Sequence, residues 1–400
     1  MSIYKIFKNI IIFLKIRMIE LQIKKKINQL QRSKSIKEIE KFNFKEFKVN
    51  LLKYIKSLQI NQSHFLYKYS ISRDKPTLYA SVFVLMTLSL LYEVDKLSDQ
   101  EKEDWQKYFD SFQSEIDGLY YDPVLENNIF YDSDWWGARH LALLIVTAST
   151  QIGYRPKFPF LFLKEYYKLE SIDRLLNQVD WENPTSHSND IDNKIMNIGC
   201  LLQYQRDFRD DKYAADSVEY LKKQLKIKIN SKTGIWGSWD VENSQQLSRM
   251  VQFAYHILVI FFYDSDYDFD SEKIVKLVLK TKNEYNGFGV NLNSSACEDI
   301  DSIDILIRLS KYCTLTTQSK IQEQIRKSFQ WVLLNQQEDG GFVFRINQEF
   351  TYGSIETSSK KNESAIFPTW FRTLSIAYMS NYLIKPNNFK IIHCPGSEYK

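Results

Sequence analysis

The chain has 400 residues, 44% of them hydrophobic, and a net charge of +4; only eight prolines and 12 glycines argue against a loop-rich β fold. Residues 1–50 hold 13 Lys/Arg against four Asp/Glu, so they carry +9 and residues 51–400 carry −5. A mildly acidic body without a basic stripe argues against nucleic acid as a partner. Four scattered cysteines, Cys200, Cys297, Cys313 and Cys394, include no CxxC pair and no Cys/His cluster. They point to a reducing compartment, with neither a disulfide framework nor a structural zinc site. The longest uncharged runs, 77–92 and 250–263, fall short of the ~20 residues of a membrane span, and the apolar run 10–14 is too short for a signal peptide. The expectation is a cytoplasmic protein.

Residues 3–42 read as one long helix in which Ile, Phe and Leu recur every three or four positions among lysines. Tyr4, Phe7, Ile11, Leu14 and Met18 fall on one face. Such a basic amphipathic segment, assigned to residues 1–45, is suited to peripheral contact with an anionic membrane, or to packing on the body or a partner.

From Lys45 onward, helical segments alternate with short Gly- or Pro-bearing breaks. An apolar helix over 77–92 precedes a more polar one over 97–112. The second opens at Ser98 with Glu101 three residues on, a capping-box signature. The pairing recurs at 137–151 with a second helix through 169, at 193–205 with 214–229, at 246–263 with 271–282, and at 298–312 with 318–335. A last apolar helix spans 368–383. Glycines in the breaks stand at 118, 234, 287 and 341, so the later gaps are 53 and 54 residues and the first, 116, is close to twice that. A helical hairpin repeated at a fixed period is an array. About six hairpins with apolar inner helices predict an all-α fold, an (α/α)6 toroid over residues 46–385 with a tail over 386–400. An open helical solenoid is the structural competitor.

The stretch Trp331-Val-Leu-Leu-Asn-Gln336-Gln-Glu-Asp-Gly340-Gly-Phe342 resembles the QW-type repeat of terpenoid cyclases, with Phe342 where that repeat usually has Trp. Thr233-Gly-Ile-Trp-Gly237 is a weaker copy. Residues 70–385 are thus similar to the toroid superfamily of terpenoid cyclases and protein prenyltransferases. Asp299-Ile-Asp301-Ser302 resembles the Asp-x-Asp-Asp motif of protonation-initiated cyclases, with Ser302 in place of the last Asp. That resemblance implies Asp301 as the acid and a small-molecule or lipid-like isoprenoid substrate. The zinc site of the prenyltransferases has no counterpart in these residues, so neither metal nor cofactor is expected.

Chemistry is expected where Glu298, Asp299, Asp301 and Asp304 crowd into seven positions at a helix start. Glu298, Asp301 and Asp304 fall three apart and share a broad face with Arg308, whereas Asp299 points elsewhere. Carboxylates this close do not all ionise cheaply, so one is expected to keep its proton and serve as a general acid, Asp301 with Asp299, Asp304 and Glu298 tuning it. Helix capping competes with that reading. Ser295-Ala-Cys-Glu298 forms a capping box and early acids favour the helix dipole, which explains Glu298 better than Asp301 or Asp304. Candidate substrate-binding residues at other inner-helix starts are Asp134, His140, Asn193, Trp370 and Arg372, with His256 further along its helix. Asn189 and His187 stand near Asn193. A second reading makes the barrel carbohydrate-active, with Asp134 and Asp301 as separated carboxylates. A third makes it a non-catalytic helical scaffold.

Overall fold

A computed structural model of the chain describes residues 3–34, 36–125, 134–181, 190–237, 240–289 and 291–396, with side chains from residue 17 onward. Six helices form an inner ring: α3 (Leu78–Leu90), α5 (Ala138–Gln151), α7 (Ile191–Arg209), α9 (Ser244–Tyr263), α11 (Ala296–Ser310) and α13 (Ile366–Leu383). Each packs on the next, and α13 packs on α3 to close the circle. The solenoid alternative is thereby removed. Outer helices α2 (Phe44–Ser57), α4 (Asp99–Asp110), α6 (Leu169–Leu176), α8 (Lys212–Ile227), α10 (Ser271–Lys280) and α12 (Leu315–Leu334) alternate with the inner ones along the chain.

Sequence chemistry explains the two layers. Inner helices are buried on nearly every side: all of α11 except Cys297 is buried. Outer helices bury one stripe, as α8 does with Ala214, Val218, Leu221 and Leu225 at helical spacing. Polar side chains start these helices. Asn43, Thr77, Asp211, Asn243, Asp270 and Thr314 each accept a backbone N–H from the first turn, and Ser98 and Glu101 form the expected capping box.

The Gly-aromatic breaks also acquire a physical meaning. After α2, α4, α8, α10 and α12 the chain turns back through an isolated antiparallel bridge: Gln59–Tyr67, Gln113–Tyr120, Ile229–Trp236, Lys282–Phe288 and Gln336–Phe342. The aromatic partner is buried each time and leads the chain toward the next inner helix. Gly118 (φ +81°) shows why glycine is required in such a turn, since a Cβ there would lie 2.2 Å from the Pro159 carbonyl oxygen. The residues resembling a QW repeat are therefore one of these turns.

Three features depart from the sequence expectations. The N-terminal helix α1 (Ile3–Ser33) stops well before residue 42. Phe42 and Phe44 then join Phe329 and Phe389 in an aromatic cluster on the body. The helix expected to run through 169 is instead a 3-10 helix, Leu161–Tyr167, followed by α6. Between α12 and α13 a hairpin of β1 (Phe350–Tyr352) and β2 (Ser354–Ser359) was not anticipated. Its turn needs Gly353 (φ +72°), because a Cβ would fall 2.1 Å from the Trp136 ring. Residues after α13 also fold back: Phe389 and Cys394 are buried, and His393 stacks on Tyr263 with ring centroids 4.5 Å apart.

The joint between α11 and α13 is fixed by charge. Asp299 accepts from Phe288 N (3.0 Å), Ser294 Oγ (2.9 Å), Trp331 Nε1 (2.9 Å) and Arg372 Nη1 (2.7 Å). Arg372, fully buried, also donates to the carbonyls of Val343, Ser294 and Phe344. Removing one member of such a pair strands the other charge in the core. Arg372→Met is expected to destabilise the fold by about 3–5 kcal/mol in urea unfolding.

Candidate active site

A cavity of about 350 Å3 lies at the end of the ring where the inner helices begin. That volume is in the range of about 300–1,000 Å3 usual for small-molecule sites. The first turns of α5 and α7 supply His140 and Asn193, the second turns of α11 and α13 supply Asp301 and Trp370, and α9 supplies Arg249, Gln252 and His256. Trp135, Tyr352 and Phe367 add aromatic surface. Gly396 (φ +89°) reaches the wall beside Leu143, where a Cβ would lie 2.9 Å from the Leu143 side chain.

Of the residues expected from the sequence, Asp301, His140, His256, Asn193 and Trp370 line this cavity together. The others do not reach it, and each has a structural reason. Asp299 and Arg372 are consumed by the joint described above. Asp304 accepts from Arg308 Nε at 2.6 Å and from Tyr255 Oη at 3.2 Å. Glu298 completes the capping box with Ser295, accepts from Arg345 Nη2 at 2.7 Å, and packs over Gly289, where a Cβ would lie 2.4 Å from its Oε1. Asp134 is chelated by Arg139 at 2.8 and 3.1 Å. The four-acid cluster thus resolves into one cavity carboxyl and three tied ones. The pairing of Asp134 with Asp301 falls away too. Asn189 and His187 lie outside the described residues.

Asp301 is distinguished by what it lacks. It is buried, and among the described residues nothing hydrogen-bonds to its carboxylate. Burial, and next the negative charge of Glu298, push its pKa well above the ordinary carboxylate range. Burial pushes the pKa of the Cys297 thiol, one turn earlier, up as well.

The adjoining wall, from α7 and α9, holds residues that the sequence reading passed over. Asp192, fully buried, accepts from Arg249 Nη1 and Nη2 at 2.7 Å each and lies 2.9 Å from His256 Nδ1. Burial alone would raise its pKa, yet His256 and Arg249 hold it well below the usual range. A carboxylate on Nδ1 fixes the tautomer and ring of His256, leaving Nε2 for a ligand. Asp190 precedes α7 in a left-handed conformation (φ +44°) and lines the cavity. Burial and the Asp192 charge raise its pKa, and Arg249 feels both Asp190 and Asp301. A signal existed for these residues: Asp190-Ile-Asp192-Asn193 opens an inner helix much as Asp299-Ile-Asp301-Ser302 does.

His140 completes the wall. Tyr79 Oη donates to the Gly137 carbonyl (3.1 Å), and the Tyr352 and Tyr79 hydroxyls lie 3.2 and 3.4 Å from His140 Nδ1. Burial and the nearby His256 lower the His140 pKa to about 3, which favours the neutral ring. Among the described residues no group of three His, Cys, Asp or Glu side chains is placed to hold a metal ion.

No protein-family model matches the chain, and no curated protein matches it in sequence. Solved structures similar to it include a family 76 glycoside hydrolase from a bovine Bacteroides thetaiotaomicron strain, at 11% identity over 86% of this chain and 79% of that one, with a TM-score of 0.47. A family 76 α-mannanase of Bacteroides thetaiotaomicron aligns at 12% identity over 84% of this chain and 95% of its own, with a TM-score of 0.43. A possible member of glycoside hydrolase family 105 from Salmonella enterica aligns at 10% identity over 86% and 96%, with a TM-score of 0.43.

The Asp301 carboxyl has an ordinary pKa of about 4 in the unfolded chain and a higher one when folded. The folded state therefore bears a cost that is absent below about pH 4 and grows as pH rises toward the folded value. Asp301→Asn is expected to stabilise the protein by about 1–3 kcal/mol at pH 7 and by nothing measurable near pH 4. Denaturant unfolding at the two pH values checks this.

Proposed function

We propose that the protein is a carbohydrate-active enzyme that cleaves a glycosidic bond by acid catalysis. The observation that carries this reading is the Asp301 carboxyl, its pKa raised and without a hydrogen-bond partner among the described residues, lining the same cavity as a fixed Asp192–Arg249–His256 group. Glycoside hydrolysis commonly needs a neutral carboxylic acid and a second carboxyl group. Asp190 lines the same cavity and is the second.

In this mechanism Asp301 gives its proton to the bridging oxygen as the bond to the anomeric carbon breaks. Asp190 takes a proton from the water that attacks that carbon, so the oxygen–carbon bond lost is replaced and each carboxyl changes by one proton. Arg249, Asn193, Gln252, the free Nε2 of His256 and the neutral ring of His140 hydrogen-bond sugar hydroxyls. Trp135 and Trp370 supply apolar faces for the sugar ring. Leu143, Leu144, Met196, Ile300 and Leu374 also line the cavity, but an isoprenoid chain would leave the cavity's buried polar groups unpaired, a cost that disfavours such a substrate. The motif resemblance to protonation-initiated cyclases weakens for a related reason: Asp299, its first acid, is bound into the α11–α13 joint.

A panel of oligosaccharides and polyprenyl diphosphates, followed by product analysis and thermal shift, tests the proposal. Hydrolysis of an oligosaccharide is expected, falling about 10²- to 10⁴-fold in Asp301→Asn. Asp190→Asn should show a loss of similar order, while Asp134→Asn lowers stability and leaves kcat near that of the native protein. Undiminished hydrolysis by Asp301→Asn, or stabilisation by the polyprenyl diphosphates alone, would refute it.

A further inference from the structure

Helix α1 is held to the body near its C-terminal end. Ile23 and Ile27 are buried and Leu30 packs beside them, Lys24 pairs with Glu284 at 2.9 Å, and Tyr285 Oη donates to Asn28 at 3.3 Å. One side of the helix is thus spent on docking.

Nearer the N-terminus Ile12 and Ile16 continue that side, and a second apolar series lies away from it. Tyr4, Phe7, Ile11, Leu14 and Met18 follow one another at helical spacing, and the series reaches the described side chains at Met18, which is 57% exposed. Leu21, one turn on, is 65% exposed. On a 100° wheel, Met18 and Leu21 stand on the far side of the helix from Ile23, Ile27 and Leu30. Two apolar stripes therefore run along α1 on opposite sides. Where side chains are described, the first is covered by the body at Ile23 and Ile27, and the second faces out at Met18 and Leu21.

Charge identifies what covers the second. Residues 3–33 carry eight basic side chains, Lys5, Lys8, Lys15, Arg17, Lys24, Lys25, Lys26 and Arg32, against the single acid Glu20. The body that follows is net acidic, so the excess positive charge is concentrated on the same helix as the outward stripe. Apolar residues flanked by lysines match a surface of anionic lipid, in which the side chains enter the headgroup boundary and the lysines meet phosphate and carboxylate groups. An apolar protein partner has no use for the eight charges.

We propose that α1 docks the protein peripherally on an anionic membrane surface, through the face that bears Met18 and Leu21. No helix among the described residues is long and apolar enough to cross a membrane, so the contact lies in the interface plane. It is independent of the chemistry of the cavity.

The full chain is incubated with vesicles of phosphatidylcholine alone or with added phosphatidylserine, and binding is read by co-sedimentation. Binding is expected only with the anionic lipid, weakening as salt is raised. Each Lys→Glu substitution among Lys5, Lys8 and Lys15 should weaken it by about fivefold or more. The double variant Met18→Glu, Leu21→Glu should bind several-fold less without a fall in Tm, because both positions are exposed. Absence of binding, or binding indifferent to lipid charge and to these substitutions, overturns the proposal. So does a dimer in size-exclusion chromatography that the Met18/Leu21 variant dissolves, since the stripe would then be covered by a second copy.

Discussion

The ion pair between Asp299 and Arg372 is the joint on which the working end of the ring depends. It ties the first turn of α11 to α13, while the same carboxylate holds the turn after α10 through Phe288 and holds α12 through Trp331. Four donors converge on one buried acid, and the arginine finds three carbonyls besides. Once those bonds are made, the rotation of α11 about its axis is set. Asp301, two residues later, must then face the cavity rather than the joint. A buried pair of this kind contributes little net stability compared with apolar packing, but it has one low-energy arrangement, and a site built beside it inherits that precision.

Within the cavity two acids are placed in opposite surroundings. Asp192 has every partner it can use and stays ionised, serving to position His256 and Arg249. Asp301 has none among the described residues, and burial with the nearby Glu298 charge pushes its pKa up. Environments that push two carboxyls apart in this way divide labour between a fixed charge and a mobile proton. A buried carboxyl without a partner among the described residues costs stability, which Asn or Ser at that position would relieve.

Much of the fold was legible in the sequence because the repeat is written in simple physics. Apolar helices need a surface on every side, amphipathic ones need only one, and the glycine-aromatic turns mark the period. The ring closure seen between α13 and α3 follows from those inner helices. The hairpin carrying Tyr352 was invisible, since its strands are short and Gly353 earns its place only against Trp136, far away in sequence. The site was legible in part. Asp301 stood out as an acid too deep in its helix to be a cap, His140, Asn193 and Trp370 as residues at inner-helix starts, and His256 as a polar interruption of an apolar helix. Asp299, Asp304, Glu298, Asp134 and Arg372 carry the same letters but are spent on buried pairing, and pairing across helices has no local signature. Arg249 and Asp192 were missed for the complementary reason: their importance comes from each other, across 57 positions of sequence.

The central claim is that Asp301 holds a proton at neutral pH, and carbon-13 NMR of the aspartate carboxyls, assigned by comparison with Asp301→Asn, measures that directly. The account predicts one carboxyl signal, lost in the variant, that titrates well above the ordinary value of about 4 while Asp192 remains ionised to more acidic pH than its neighbours. A signal for Asp301 that titrates near 4 with the surface aspartates would contradict it.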